Sequence, residues 1–161
     1  MDKAVEVLRK KGIAKAEKRA GRVASQGLVV SYIHHNQQVG VLLELNSETD
    51  FVARNEAFGL LARDIALHIA SADPIGVNPE DVPAEMLDRE RRIAEEQVAA
   101  EGKPENIRAK IVEGKLKKFA QERALLEQPF IKDDSKSVGQ LVAAVPGATV
   151  IRFARFRVGE G

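Results

Sequence analysis

LVVSYIHHNQQVGVLLEL, residues 28–45, is the stretch on which the fold turns. Two runs rich in Val, Leu and Ile, 28–35 and 39–45, flank Asn36-Gln37, and that pattern predicts a β-hairpin. With Asn36 and Gln37 as its loop, Val30 pairs with Leu43, Tyr32 with Val41 and His34 with Val39. Leu28, Val30, Tyr32, Val39, Val41, Leu43 and Leu45 then share one face. The opposite face carries Val29, Ser31, Ile33, His35, Leu42 and Glu44, which is mixed rather than polar. A sheet packed on one side alone alternates more cleanly, so the second face is expected to be partly covered.

Downstream of the hairpin, Phe58, Leu61, Ile65, His68 and Ile69 form a helical stripe after Asn55, a suitable N-cap. That helix should stop before Asp73-Pro74, and the Pro, Gly, Asp and Asn content up to Pro83 marks a loop. Two charged helices follow, over 84–100 and 105–126, separated by Gly102-Lys103-Pro104. Gly suits a helix end and Pro a helix start, so the break reads as a tight αα turn. The apolar stripes are narrow: Met86, Ile93 and Ala100 on the first helix, Val112, Leu116 and Phe119 on the second. A solvent-projecting antiparallel hairpin fits them better than two core helices. Beyond it come a short extended piece at Phe130-Ile131 and a short helix over 138–144 capped by Ser135 or Ser137. A turn at Pro146-Gly147 and a final strand over 149–158 complete the chain. Upstream, residues 2–20 read as a short charged helix and 21–27 as a linker. The fold class is α+β: a small antiparallel sheet of about three strands packed with helices, plus the projecting helical hairpin.

Composition narrows the function. The chain has 161 residues, of which 44% are hydrophobic and 30% charged, the balance of a globular protein. Lys plus Arg number 25 and Asp plus Glu 24, for a net charge of +1. That balance argues against bulk electrostatic capture of nucleic acid or of an anionic membrane. Without cysteine, disulfides, thiolate nucleophiles and Cys-ligated zinc are excluded. No apolar run approaches the roughly 18 residues of a membrane span, and the N-terminal MDKAVEVLRKK lacks the apolar core of a secretory signal. The expectation is a cytoplasmic protein.

No phosphate-binding glycine loop, GxSxG elbow or HExxH occurs. His34 and His35, as strand neighbours, should point to opposite faces and so not share a metal ion. His68 lies on an apolar stripe and reads as structural. The carboxylates fall on charged helices. No catalytic residues, metal ligands or cofactor are expected, and the chain does not read as an enzyme. Two features remain. IRFARFR, residues 151–157, interleaves Arg152, Arg155 and Arg157 with Phe153 and Phe156, a pattern able to stack on and neutralise RNA. Its plainer reading puts Ile151 and Phe153 towards one side and Ala154, Phe156 and Val158 towards the other. ELNSETDFVARNEAF, residues 44–58, sets Phe51 beside Asp50 at a strand-to-helix corner. That ring either tucks beneath the helix or stands out as a wedge for a partner.

Residues 44–54, ELNSETDFVAR, closely resemble the signature of bacterial elongation factor Ts, the family of nucleotide exchange factors for elongation factor Tu. YIHHNQQVGVLLELN is similar to the family's first hairpin. EGKPENI, IVEGKLKKF and LLEQPFIKDDSKSVGQL resemble its helical hairpin and the segment after it, and RFARFRVGEG its last core strand. The resemblance runs from about residue 3 to the end. It implies that Asp50 and Phe51 of the TDFV motif enter the GTPase domain of Tu near its magnesium and phosphate site. Thr49 and Val52 would shape that corner, and Arg54, Asn55 and Glu56 would flank it. The sheet region is further expected to touch the C-terminal barrel of Tu.

The resemblance also divides the chain. Residues 25–161 correspond to the family's core domain, with the helical hairpin inserted at about 83–127. Residues 1–24 resemble only the last helix and linker of a three-helix, ubiquitin-associated-like module that carries a TGAG-containing motif, so weakened affinity for Tu is expected. Members with one core repeat and one hairpin tend to dimerise through their sheets. A homodimer is therefore expected, with Val29, Ile33, Leu42 and Phe156 at or near the contact, and no direct contact with nucleic acid or membrane. The alternative is an RNA-binding or structural module built on the Arg/Phe strand.

Overall fold

The computed structural model describes residues 26–160, with the backbone alone at Phe51. The helix expected over 2–20 and most of the expected linker lie outside the described residues.

Strand β1 (Gln26–Ile33) pairs antiparallel with β2 (Val39–Ser47), and the final strand β5 (Thr149–Arg157) pairs antiparallel with the other edge of β2. The hairpin register is the expected one, with Val30 opposite Leu43 and Tyr32 opposite Val41. β1 begins two residues inside the expected linker and ends at Ile33, before the histidines. Gln37 takes the left-handed conformation that the turn requires (φ 60°). Behind the sheet lies the helix α2 (Glu56–Ala72), capped by Asn55 and ended by left-handed Asp73 at φ 49°. The short helix α1 (Asp50–Ala53) joins β2 to α2.

Val41, Leu43 and Leu45 of β2 meet Phe58, Ala62, Ile65, Ala66 and Ile69 of α2 in one core. Burial of each Val, Leu, Ile and Phe among them contributes about 1.5–3 kcal/mol, which is what fastens α2 to the strands. The face with Val29, Ile33 and Leu42 is left uncovered by the described residues, at 70%, 63% and 51% exposure. The mixed composition of that face therefore has no counterpart within the fold itself.

Helices α3 (Ala84–Ala100) and α4 (Glu105–Glu122) form the antiparallel hairpin. α4 ends four residues earlier than expected, where Leu125–Glu127 tightens into a 3-10 turn. The hairpin has its own small core of Ala94, Val98, Val112 and Leu116, separate from the main one. The expected stripe on α3 needs correction. Ile93 is 40% exposed and Ala100 is exposed, because the small Ala94 and Val98 let the two helices approach instead. Arg91 and Glu113 bridge the helices at 2.6 Å. At the hairpin's base, Ile75 N–H donates to Arg123 O and Leu125 N–H to Gly76 O, both at 2.8 Å, closing the insertion.

Beyond the hairpin, β3 (Pro129–Phe130) pairs with β4 (Asp133–Ser137) in a small second sheet. β4 reads DDSKS, and its polarity hid it from apolar patterning. Helix α5 (Val138–Ala143) is capped by Ser137, whose Oγ accepts from Gln140 N–H while the Gln140 side chain accepts from Ser137 N–H. In β5 the plain alternation is broken. Leu45 faces Val150 and Glu44 faces Arg152, so Ile151 is an extra residue at a bulge. Val150 and Phe153 thus pack inward, while Ile151, expected beside Phe153, is 44% exposed.

Candidate functional site

The corner after β2 is built from short-range polar ties. Ser47, the last residue of the strand, is 1% exposed, and its hydroxyl donates to the carbonyl of Thr49 at 2.7 Å. Thr49 is extended and caps α1, its Oγ1 accepting from Val52 N–H at 3.2 Å. The Thr49 carbonyl also accepts Ala53 N–H at 3.2 Å. Two residues on, Asn55 Oδ1 accepts Ala57 N–H at 2.9 Å and starts α2. Two N-caps within seven residues explain why the chain makes a four-residue helix and then turns rather than running on.

The sides of this corner differ. Ala53 is buried and Val52 packs half-buried against the core. Thr49, Asp50, Arg54 and Asn55 are exposed. Arg54 and Asp50 form an ion pair at 2.9 Å one helical turn apart; its exposure limits its worth to about 0.3–0.5 kcal/mol. Phe51 lies in α1 by its backbone. Behind the corner runs the turn that leads into β5. Gly147 there has φ 79°, and a Cβ on it would stand 3.0 Å from Glu48 Cγ. Only glycine combines that left-handed backbone with so close an approach. The six expected contact residues therefore form one contiguous corner, four of them exposed and one anchored.

The remaining candidates resolve differently. His34 and His35 lie beyond the end of β1, and their ring centroids are 4.1 Å apart rather than on opposite faces, because the chain has entered the turn. Tyr32 Oη lies 3.0 Å from His34 Nδ1. Among the described residues no three His, Cys, Asp or Glu side chains gather as a metal would need, and no helix is long and apolar enough to cross a membrane. Each arginine of the last strand has an acidic partner, and only Arg155 has its side chain largely buried. Arg152 pairs with Glu44 at 2.9 Å and Arg157 with Glu160 at 3.6 Å. Arg155, with 9% of its side chain exposed, reaches Asp73 and Glu160 and donates twice to the carbonyl of Ala70. Phe153 is half-buried against the core. Of the two aromatic rings in that strand, Phe156 alone is exposed, at 74%, which leaves one ring rather than a pair for stacking.

Ser47 and Gln128 escaped the sequence reading. The signal for Ser47 was its parity: it follows Leu43 and Leu45 on the inward face of β2, where a polar side chain needs a partner. Gln128 carries no local signal, since its partners lie on α2 and at the end of α4.

Comparison with known proteins places these features. The profile of the family described as elongation factor TS matches residues 13–160. Elongation factor Ts of Koribacter versatilis (strain Ellin345) is 53% identical over 165 residues, covering 99% of this chain and 75% of that protein. Elongation factor Ts of Syntrophomonas wolfei is 51% identical over 166 residues, covering 100% and 78% respectively. Elongation factor Ts of Petrotoga mobilis is 50% identical over 165 residues, covering 99% and 84%.

Proposed function

The chain belongs to the elongation factor Ts family of translation elongation factors, and on that premise we propose that it acts as a guanine nucleotide exchange factor. Its partner is elongation factor Tu carrying GDP, and its effect is to speed GDP release. No bond is made or broken; the factor stabilises the state of the partner in which nucleotide and magnesium are poorly held. By linkage, a factor that weakens nucleotide affinity is itself weakened equally by incoming nucleotide, so the complex is transient.

The observation that carries this reading is the corner over 49–55, anchored on its inner side by Val52 and Ala53 and exposed at Thr49, Asp50, Arg54 and Asn55. In the proposal, Phe51 is the wedge that enters near the magnesium and phosphate site, with Asp50 as its polar companion. Thr49 and Val52 hold the corner's shape, and Arg54 and Asn55 flank it. A Phe side chain moved from water into a partner is worth roughly 1.5–3 kcal/mol. At about 1.4 kcal/mol per factor of ten, that amounts to roughly ten- to hundredfold of acceleration, and the rest of the interface supplies any more.

In the same proposal residues 25–161 act as the core domain with its hairpin insertion, in the cytoplasm, without nucleic acid, membrane or cofactor. Two chains pair through the uncovered sheet face, with Val29, Ile33, Leu42 and Phe156 in the contact. Their exposure, between 51% and 74%, supports that pairing, since a stripe this apolar is costly to leave in water. The test of the function is release of a fluorescent GDP analogue from Tu, with and without the chain. A release rate that rises and saturates with chain concentration is expected; a rate independent of the chain refutes the proposal.

A further inference from the structure

We infer that Ser47 is a positioning residue for exchange, its buried hydroxyl fixing the angle at which residues 50–53 meet the partner. The inference rests on the exchange function proposed above and adds a residue to that site. Four residues of helix cannot hold their own shape or direction in water. α1 must therefore take its orientation from what grips its ends. At its C-terminal end Val52 and Ala53 pack on the core. At its N-terminal end the grip is polar, and it leads back to the sheet through Ser47.

The geometry of that grip is specific. Ser47 is the last residue of the central strand, opposite Gln26, and is sealed at 1% exposure. Its O–H donates 2.7 Å to the Thr49 carbonyl, and the same oxygen accepts the first helical hydrogen bond, from Ala53 N–H at 3.2 Å. Both lone pairs of one carbonyl are thus committed, one to the helix and one to the strand. Removing the hydroxyl leaves the helical bond in place and cuts the tie to the strand, so α1 persists but gains freedom to tilt.

Tilting matters for the maximal rate more than for affinity. A wedge acts only from its productive position, and in catalysis about 1 Å of misplacement can cost on the order of a hundredfold. Affinity, by contrast, is shared across the whole interface. The two effects separate in a saturation curve of nucleotide release from Tu against factor concentration.

The experiment compares the natural chain, Ser47→Ala, Ser47→Cys and Phe51→Ala in that assay, with thermal melting of each to give its folded fraction. Ser47→Ala removes one hydrogen bond and is expected to lower the maximal release rate about three- to tenfold, with its half-saturating concentration within about twofold of the natural chain. Ser47→Cys keeps the size of the side chain and a weaker donor, and is expected to recover part of the loss. If Phe51→Ala slows release and Ser47→Ala does not, the inference falls while the exchange reading stands. A rise in half-saturation alone for Ser47→Ala also overturns it, because the hydroxyl then serves affinity. If Phe51→Ala changes nothing, the wedge reading fails first and takes this one with it. Should Ser47→Ala not fold, Ser47→Cys decides: a lowered maximum at unchanged half-saturation supports the inference, and an unchanged maximum refutes it.

Discussion

His68 Nε2 and Gln128 Oε1 meet at 2.9 Å across 60 residues of sequence, inside the protein. The Gln128 amide donates in turn to the carbonyl of Glu122 at 3.0 Å, and Ile131 N–H approaches His68 Nδ1 at 3.3 Å. These bonds assign the neutral ring, with its proton on Nε2 and a lone pair on Nδ1. One imidazole thereby joins α2, through Gln128, to the end of the helical hairpin and directly to the turn after β3.

That latch makes stability depend on pH. Burial lowers the His68 pKa below its ordinary value, against a smaller opposing effect of the Gln128 hydrogen bond. The unfolded chain takes up a proton near pH 6.5 while the folded chain resists it. The contribution of His68 is therefore complete above about pH 6.5 and is lost as pH falls from there towards the depressed folded-state pKa. A single site gives a slope of at most about 1.4 kcal/mol per pH unit. Urea unfolding of the natural chain and of His68→Gln between pH 5 and 8, values chosen to bracket roughly the histidine range, should differ in slope below about pH 6.5 and run parallel above it. Parallel curves throughout would contradict the assignment.

Arg155 tests what the arginines of the last strand are for. It caps the carbonyl of Ala70 near the end of α2 and pairs with Asp73 and Glu160 from a site that leaves 9% of its side chain exposed. Arg155→Ala should cost about 1.5–3 kcal/mol of stability, the range for hydrogen bonds to a charged group. Arg152→Ala breaks an ion pair whose Arg side chain is 82% exposed and should cost under about 1 kcal/mol. Equal costs in chemical denaturation would refute this ordering, and salt-sensitive RNA binding lost in either variant would favour the RNA-module alternative.

The uncovered sheet face predicts assembly. Light scattering at micromolar concentration should give the mass of two chains. Phe156→Glu, at a side chain 74% exposed in the single chain, should give the mass of one with an unchanged melting curve at high dilution. A natural chain that already scatters as a monomer would contradict the proposed pairing.

Much of this fold was legible because its strongest patterns are local. The hairpin register followed from one apolar alternation about Asn36-Gln37, although the loop is longer than two residues and turns at His34–Gln37, and α2 followed from a stripe between Asn55 and Asp73. What escaped depends on relations that no short window contains. The bulge at Ile151 shifts the inward face of β5 because Val150 must meet Leu45. Ala94 and Val98, rather than Ile93, face α4 because small side chains permit close helix approach. β4 is polar along its length and is held by pairing with β3 rather than by burial. At the candidate site, the caps Thr49 and Asn55 could be read from residue type. The Ser47 tie could be read only as an inward parity, and the Gly147 support not at all, since it is spent on a neighbour 99 positions away in sequence.

The most direct measurement is stopped-flow release of a fluorescent guanine nucleotide from elongation factor Tu, driven at saturation by the natural chain and by Phe51→Ala. Release about ten- to hundredfold slower is expected with the variant, at an unchanged melting temperature. Release as fast as with the natural chain would refute the role of Phe51 as the wedge.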